Sequence, residues 1–150
     1  MFYCQPHPYE LVPIGTIWTT DCCPMDTTSC SYRDYDRNYV LELDAVYFDG
    51  CIGLETISEL TILYWLREAN RSVLKSNPPD DAEELGVFAT CTLDRPNPIG
   101  IGLGLVRKIE KNLIHVSGRL ECPTGTPILD LRPETLYCGR TQLPAHLTAV

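Results

Sequence analysis

The sequence predicts a mainly all-β protein: a small single-domain β-barrel of about seven strands with short helical turns. Three observations predict it. Short runs rich in β-branched and aromatic residues recur along most of the chain, separated by Gly, Pro, Asn and Asp clusters, and little of it carries a helical pattern. Those runs hold few of the charged residues that protect open sheet edges, which favours closure into a barrel over a sandwich. The length of 150 residues, 44% of them hydrophobic, suffices for one core.

Taken in order, residues 1–9 form an N-terminal tail and the domain spans 10–135, leaving 136–150 as a C-terminal tail. Leu11 to Thr20, branched and aromatic around Gly15, is the first expected strand. Residues 21–37 are polar, Cys-bearing and rich in Thr, Asp and Tyr, and read as an insertion between strands. Tyr39-Val40-Leu41-Glu42-Leu43 alternates as a half-buried strand should. Asp44 to Leu54 holds one or two helical turns at most. Ile57 to Leu66 contains the densest apolar run and reads as a central strand. Arg67 to Leu85 begins with helix formers but ends in Asn77-Pro78-Pro79-Asp80-Asp81, a loop or lid. Gly86 to Thr90 is a short strand leading into a proline-rich run. Ile101 to Glu110 and Leu113 to Leu120 flank Lys111-Asn112 as a hairpin, and Thr126 to Leu131 completes the set.

The net charge of −8 is unevenly spread: residues 1–94 carry 5 basic and 16 acidic side chains, residues 95–150 carry 7 and 4. Phosphate neutralisation along duplex DNA is therefore not expected, while the more basic C-terminal half leaves room for one RNA loop or an anionic small molecule. No apolar run approaches the roughly 18 residues of a membrane span. Met1 to Tyr9 lacks the layout of a secretion signal, so a soluble cytoplasmic protein is the expectation. Eight cysteines without a secretion signal favour free thiols over a disulfide framework. Four cluster early, at Cys4, Cys22, Cys23 and Cys30. Their spacing matches no paired C-x2-C zinc pattern, so no metal site is expected, although with His7 they are the candidates for one.

Arg95-Pro96-Asn97-Pro98-Ile99-Gly100 is the most informative stretch. Pro96 and Pro98 fix their own φ angles and donate no N–H, and Arg95 and Asn97, each before a proline, are pushed into extended geometry. Gly100, Gly102 and Gly104 then leave room for something to lie against the main chain. A tight loop joining two strands would show the same residues.

Gly86-Val87-Phe88-Ala89-Thr90, the proline run, and Gly125-Thr126-Pro127-Ile128-Leu129-Asp130-Leu131-Arg132-Pro133 stand in that order. Upstream lie Pro13-Ile14-Gly15-Thr16-Ile17 and the segment from Val40 to Glu55. This ordered set resembles the TsaA-like family over about residues 10–135. Characterised members are tRNA methyltransferases that methylate N6 of threonylcarbamoyl-adenosine beside the anticodon, using S-adenosylmethionine. The resemblance implies a TsaA-like barrel that forms a homodimer and binds S-adenosylmethionine near the subunit interface. It implies a methyltransferase acting on a tRNA anticodon loop or on a related small-molecule acceptor. Carried over by alignment, cofactor contacts fall on Arg67, Glu68, Cys91, Ile101, Leu120 and Glu121. Glu121 or Glu68 would accept from ribose hydroxyls or an amine, and Arg67 would pair with the carboxylate of the methionine tail. Arg95, Asn97, Thr126 and Asp130 are expected to organise loops or face the substrate; no catalytic residue is assigned. Little acid–base chemistry is required, because a sulfonium already makes its methyl group electrophilic and the protein must chiefly align donor and nucleophile.

The chain departs from the family pattern at several positions. Cys91 stands where an arginine is usual, Asp94 where histidine or phenylalanine is frequent, and Glu84-Leu85-Gly86 where the family has a basic P-R-G. Thr124 replaces an aspartate, and Leu66-Arg67 an F-H pair. These losses of basic groups weaken the case for a tRNA backbone as partner. The competing class is a non-catalytic barrel that binds the cofactor, or a metal through the N-terminal cysteines.

Overall fold

A computed structural model of the chain describes residues 10–20, 37–76 and 84–134. Eight strands are present among them: β1 (Gly15–Thr19), β2 (Arg37–Leu43), β3 (Glu59–Trp65), β4 (Lys75–Ser76), β5 (Leu85–Gly86), β6 (Ile99–Glu110), β7 (Leu113–Arg119) and β8 (Thr126–Pro133). Six close into an antiparallel barrel in the order β1-β2-β7-β6-β3-β8, with β8 returning to β1. The barrel is as expected, with six staves in place of about seven.

Strict alternation builds the interior. Tyr39, Leu41 and Leu43 of β2 and Leu60, Ile62 and Tyr64 of β3 point inward, where they meet Ile17, Ile114, Val116 and Ile128. Each such side chain contributes roughly 1.5–3 kcal/mol through removal from water. Lys111-Asn112 makes the expected hairpin between β6 and β7. The tight reversal puts Lys111 at φ 56°, and Asn112 ties the loop to β2 by donating from Nδ2 to the Leu43 carbonyl at 3.1 Å.

The missing stave is Gly86 to Thr90. Only Leu85–Gly86 is extended, pairing with β4 in a separate two-stranded sheet, and Val87–Ala89 forms a 3-10 turn. Val87 is fully buried and donates its N–H to the Leu74 carbonyl at 3.0 Å. The Arg95 guanidinium closes the turn, donating to the carbonyls of Val87 at 2.8 Å and Thr90 at 2.9 Å. A β-rich local sequence is thus overridden by a cation eight residues downstream. The helix formers after Arg67 likewise give only a turn. Asn70 N–H donates to Asp94 Oδ1 at 2.7 Å, and Arg71 donates to the Pro96 carbonyl at 2.7 Å, lashing this segment to the proline run.

Candidate active site

The three glycines after the proline run do not leave room for a ligand. A Cβ on Gly100 would overlap the Tyr64 ring edge, one on Gly102 would overlap Leu120 Cδ2, and one on Gly104 would press on Ile62 and Val116. The space they vacate is filled by the barrel's own side chains, so the expectation of open space there is corrected.

The hollow lies at one rim of the barrel, where β3 and β7 end and β8 begins. It measures about 370 Å³, within the usual range for small-ligand sites. Leu66, Leu93, Pro123 and Pro127 give it apolar walls, and Arg67, Glu68, Asp94 and Glu121 bring three carboxylates and one guanidinium. Each wall is fixed by a local device. Leu66 N–H donates to the buried Pro98 carbonyl at 3.0 Å, which anchors the end of β3. Asp94 is held by the Asn70 N–H. The turn before β8 needs φ +84° at Gly125, which glycine supplies without strain. Its N–H donates to the Ile17 carbonyl at 2.8 Å, and Thr126 Oγ1 donates to the Pro123 carbonyl at 2.6 Å.

Behind Glu121, inside the barrel, two phenols grip the main chain. Tyr39 Oη donates to the Leu120 carbonyl at 3.0 Å and accepts from the Leu120 N–H at 3.3 Å. Tyr64 Oη accepts from the Glu121 N–H at 3.1 Å. Burial pushes the Tyr64 phenol far above its usual pKa. Burial also raises the neighbouring Cys122 thiol to about 11, so Cys122 is a neutral side chain there and no nucleophile.

Of the expected site residues, Arg67, Glu68 and Glu121 meet in this hollow, together with Thr126. Leu120 sits beneath it, buried in the core. Cys91 is exposed and outside the lining, and Ile101 projects from the outer face of β6, 69% exposed. Arg95 is occupied with the Val87–Ala89 turn and lies 5.8 Å from the Phe88 ring centre, and the Asn97 carbonyl accepts from the Ile99 N–H at 2.8 Å. Asp130 is elsewhere: it pairs with Arg132 at 2.9 Å and borders a second hollow at the opposite rim. Cys4, Cys22, Cys23, Cys30 and His7 lie outside the described residues. Among the described residues no cluster of His, Cys, Asp and Glu could hold a metal ion.

Leu93, Asp94, Thr124, Gly125 and Pro127 are lining residues that the sequence reading passed over. Asp94 and Thr124 were visible as departures from the family pattern. The inward phase of Tyr39 was visible in strand alternation; that of Tyr64, inside a continuous apolar run, was not, and neither were the partners of the two hydroxyls.

The fold is thus a closed antiparallel barrel with an acidic, half-apolar hollow of small-ligand size at one rim. Its particular kind follows from comparison. The chain belongs to the tRNA-methyltransferase O N-terminal domain family, which matches residues 24–139. It is 40% identical over 94 residues to the probable S-adenosyl-L-methionine-binding protein VirR of Rhizobium radiobacter, covering 63% of this chain and 53% of VirR. A probable S-adenosyl-L-methionine-binding protein of Methanocaldococcus jannaschii is 32% identical over 141 residues, covering 88% of this chain and 98% of that protein. Among solved structures, a crystal structure of TrmO superposes with a TM-score of 0.69 at 26% identity, covering 92% of this chain and 62% of that one. The chain thus spans about half of VirR and under two thirds of TrmO.

Proposed function

We propose that the chain is an S-adenosylmethionine-dependent methyltransferase whose cofactor occupies the hollow between Arg67, Glu68, Asp94 and Glu121. The observation that carries this is the convergence, on one ligand-sized hollow, of carboxylates from three separate segments with an apolar wall. Family membership and the cofactor named for its relatives support the same reading. The donor set fits the group. Three carboxylates suit a cationic ligand with an amine, the guanidinium suits its carboxylate, and Leu66, Leu93 and the two prolines suit an adenine face. When bound, S-adenosylmethionine supplies a methyl group activated by its sulfonium. The protein's part is to bind, orient and exclude water: Glu68 and Glu121 accept hydrogen bonds from amine or hydroxyl donors, Arg67 holds the tail, and Asp94 adds negative potential at the rim.

The methyl acceptor is a nitrogen or other nucleophile of a modified tRNA adenosine, or of a related small molecule. Phe88 supports a nucleoside acceptor. It is 79% exposed on a turn braced by Arg95, and a ring held so offers a face for a base to stack on.

The working form is a homodimer in the cytoplasm. Ile99, Ile101 and Leu103 project from β6 beside Trp65, Leu63 and Thr61 of β3, an outer strip of mainly apolar side chains. Placing Ile101 in a subunit contact would remove its exposure and bring it near a partner's site. Cys51, Cys91 and Cys122 are free thiols, which suits a reducing compartment.

Titration calorimetry with S-adenosylmethionine and S-adenosylhomocysteine tests the cofactor, with micromolar-scale affinity expected; no heat with either refutes it. Mass spectrometry of tRNA and metabolite extracts, with and without the gene, identifies the acceptor, and sedimentation tests the dimer.

A further inference from the structure

We infer that Tyr64 is a positioning residue for the proposed cofactor site, setting the Glu121 carboxylate from inside the barrel, with Gly100 as the seat that allows it. This rests on the functional reading above. Glu121 is the second residue past the end of β7, beyond the last ladder bond, and its side chain is about half exposed. Its carboxylate meets Arg119 only at 3.4 Å, an exposed pair too weak to fix a side chain. What fixes it is the backbone. The Glu121 N–H is held by Tyr64 Oη at 3.1 Å, and both polar groups of the preceding Leu120 are held by Tyr39 Oη. Two consecutive residues are therefore bonded to phenols standing on β2 and β3, and the rim inherits the rigidity of the core.

The Tyr64 ring reaches that amide because Gly100, its register partner on β6, has no Cβ to occupy the ring's place. Gly102 does the same for Leu120. The glycines after the proline run thus act on the site at one remove, through a phenol and a leucine. The phenol stays neutral across the physiological range, since burial opposes its ionisation, so its hold on the amide does not titrate.

The test is a double-mutant cycle in cofactor affinity. Tyr64→Phe keeps the ring and removes the hold; it is expected to weaken S-adenosylhomocysteine binding about tenfold, the worth of one such bond. In a Glu121→Ala background, where no carboxylate remains to be misplaced, the same substitution is expected to change affinity less than about twofold. Amide exchange at Glu121 in the ligand-free protein is expected to speed up in Tyr64→Phe, while that of Ile17 across the barrel is unchanged. Tyr39→Phe, acting through Leu120, is a second variant expected to show the same coupling. An equal affinity loss in both backgrounds, or unaltered Glu121 exchange, overturns the positioning role and leaves the functional reading standing. A wild-type chain that binds neither ligand overturns the functional reading itself, before any substitution is compared.

Discussion

Gly100→Ala separates two readings of the proline run. If the glycine leaves room for a ligand, alanine lowers affinity and spares stability. If it seats a core ring, alanine unfolds the barrel more readily. The added Cβ would overlap the edge of the Tyr64 ring, and that residue is 2% exposed with its hydroxyl tied to the Glu121 N–H. It cannot swing aside without surrendering that bond. Overpacking of this kind costs about 1–3 kcal/mol, and the lost hydrogen bond about 1 kcal/mol more. Alanine recovers roughly 0.4–1 kcal/mol by restricting the unfolded chain. The expected net loss is about 2 kcal/mol, read as a lowered midpoint in urea and roughly 4–8 °C in Tm. Gly50→Ala is the control: nothing lies within 4 Å of its added Cβ, so stability should hold or rise slightly. A Gly100→Ala protein within about 0.5 kcal/mol of wild type would refute the packing account.

Three further outcomes follow from named contacts. Arg95→Lys should cost about 1–2 kcal/mol, because an ammonium cannot reproduce the guanidinium's two bonds to the Val87 and Thr90 carbonyls; full stability in urea would contradict this. Glu68→Gln should weaken S-adenosylmethionine binding about tenfold in calorimetry without moving Tm, since its carboxylate faces the hollow and no core; an unchanged Kd would remove it from the site. The Cys122 thiol keeps its proton in the folded chain up to about 11, whereas the unfolded chain releases it near 9.0, so its contribution is complete below 9.0 and is lost as pH rises toward 11. Wild type should therefore lose on the order of 2 kcal/mol more than Cys122→Ala across that window in urea titrations, and parallel curves would count against it.

The strands were legible wherever alternation was strict. Tyr39 to Leu43 announces both its conformation and its buried face, because a period of two leaves one assignment of inside and outside. The apolar run from Ile57 to Leu66 announces a strand but not its buried side, since Leu63 and Trp65 are as apolar as Ile62 and Tyr64. Gly86 to Thr90 was misread for the same reason that propensity is local: Val87 is buried and its carbonyl is bound by Arg95, a contact between segments. At the site, Arg67, Glu68 and Glu121 came from the resemblance and do meet in one hollow. Cys91, Ile101 and Asp130 do not join them: strand phase sends Ile101 to the outer face of β6 and Asp130 to the opposite rim, and Cys91 lies exposed in the loop before the proline run.

By itself the sequence determined where the six barrel strands lie, the alternation of Tyr39 to Leu43, the hairpin at Lys111-Asn112 and the ordered blocks that mark the family. All of these are carried by short-range pattern: side-chain alternation, imide rings and turn residues act within a few positions. The tertiary structure decided where the hollow lies and what the glycines are for. Closing the barrel brings Gly100 against Tyr64 and Tyr64 under Glu121, positions far apart in sequence, and only a closed sheet lets an absent Cβ on one strand seat a phenol that holds the Glu121 amide at the rim.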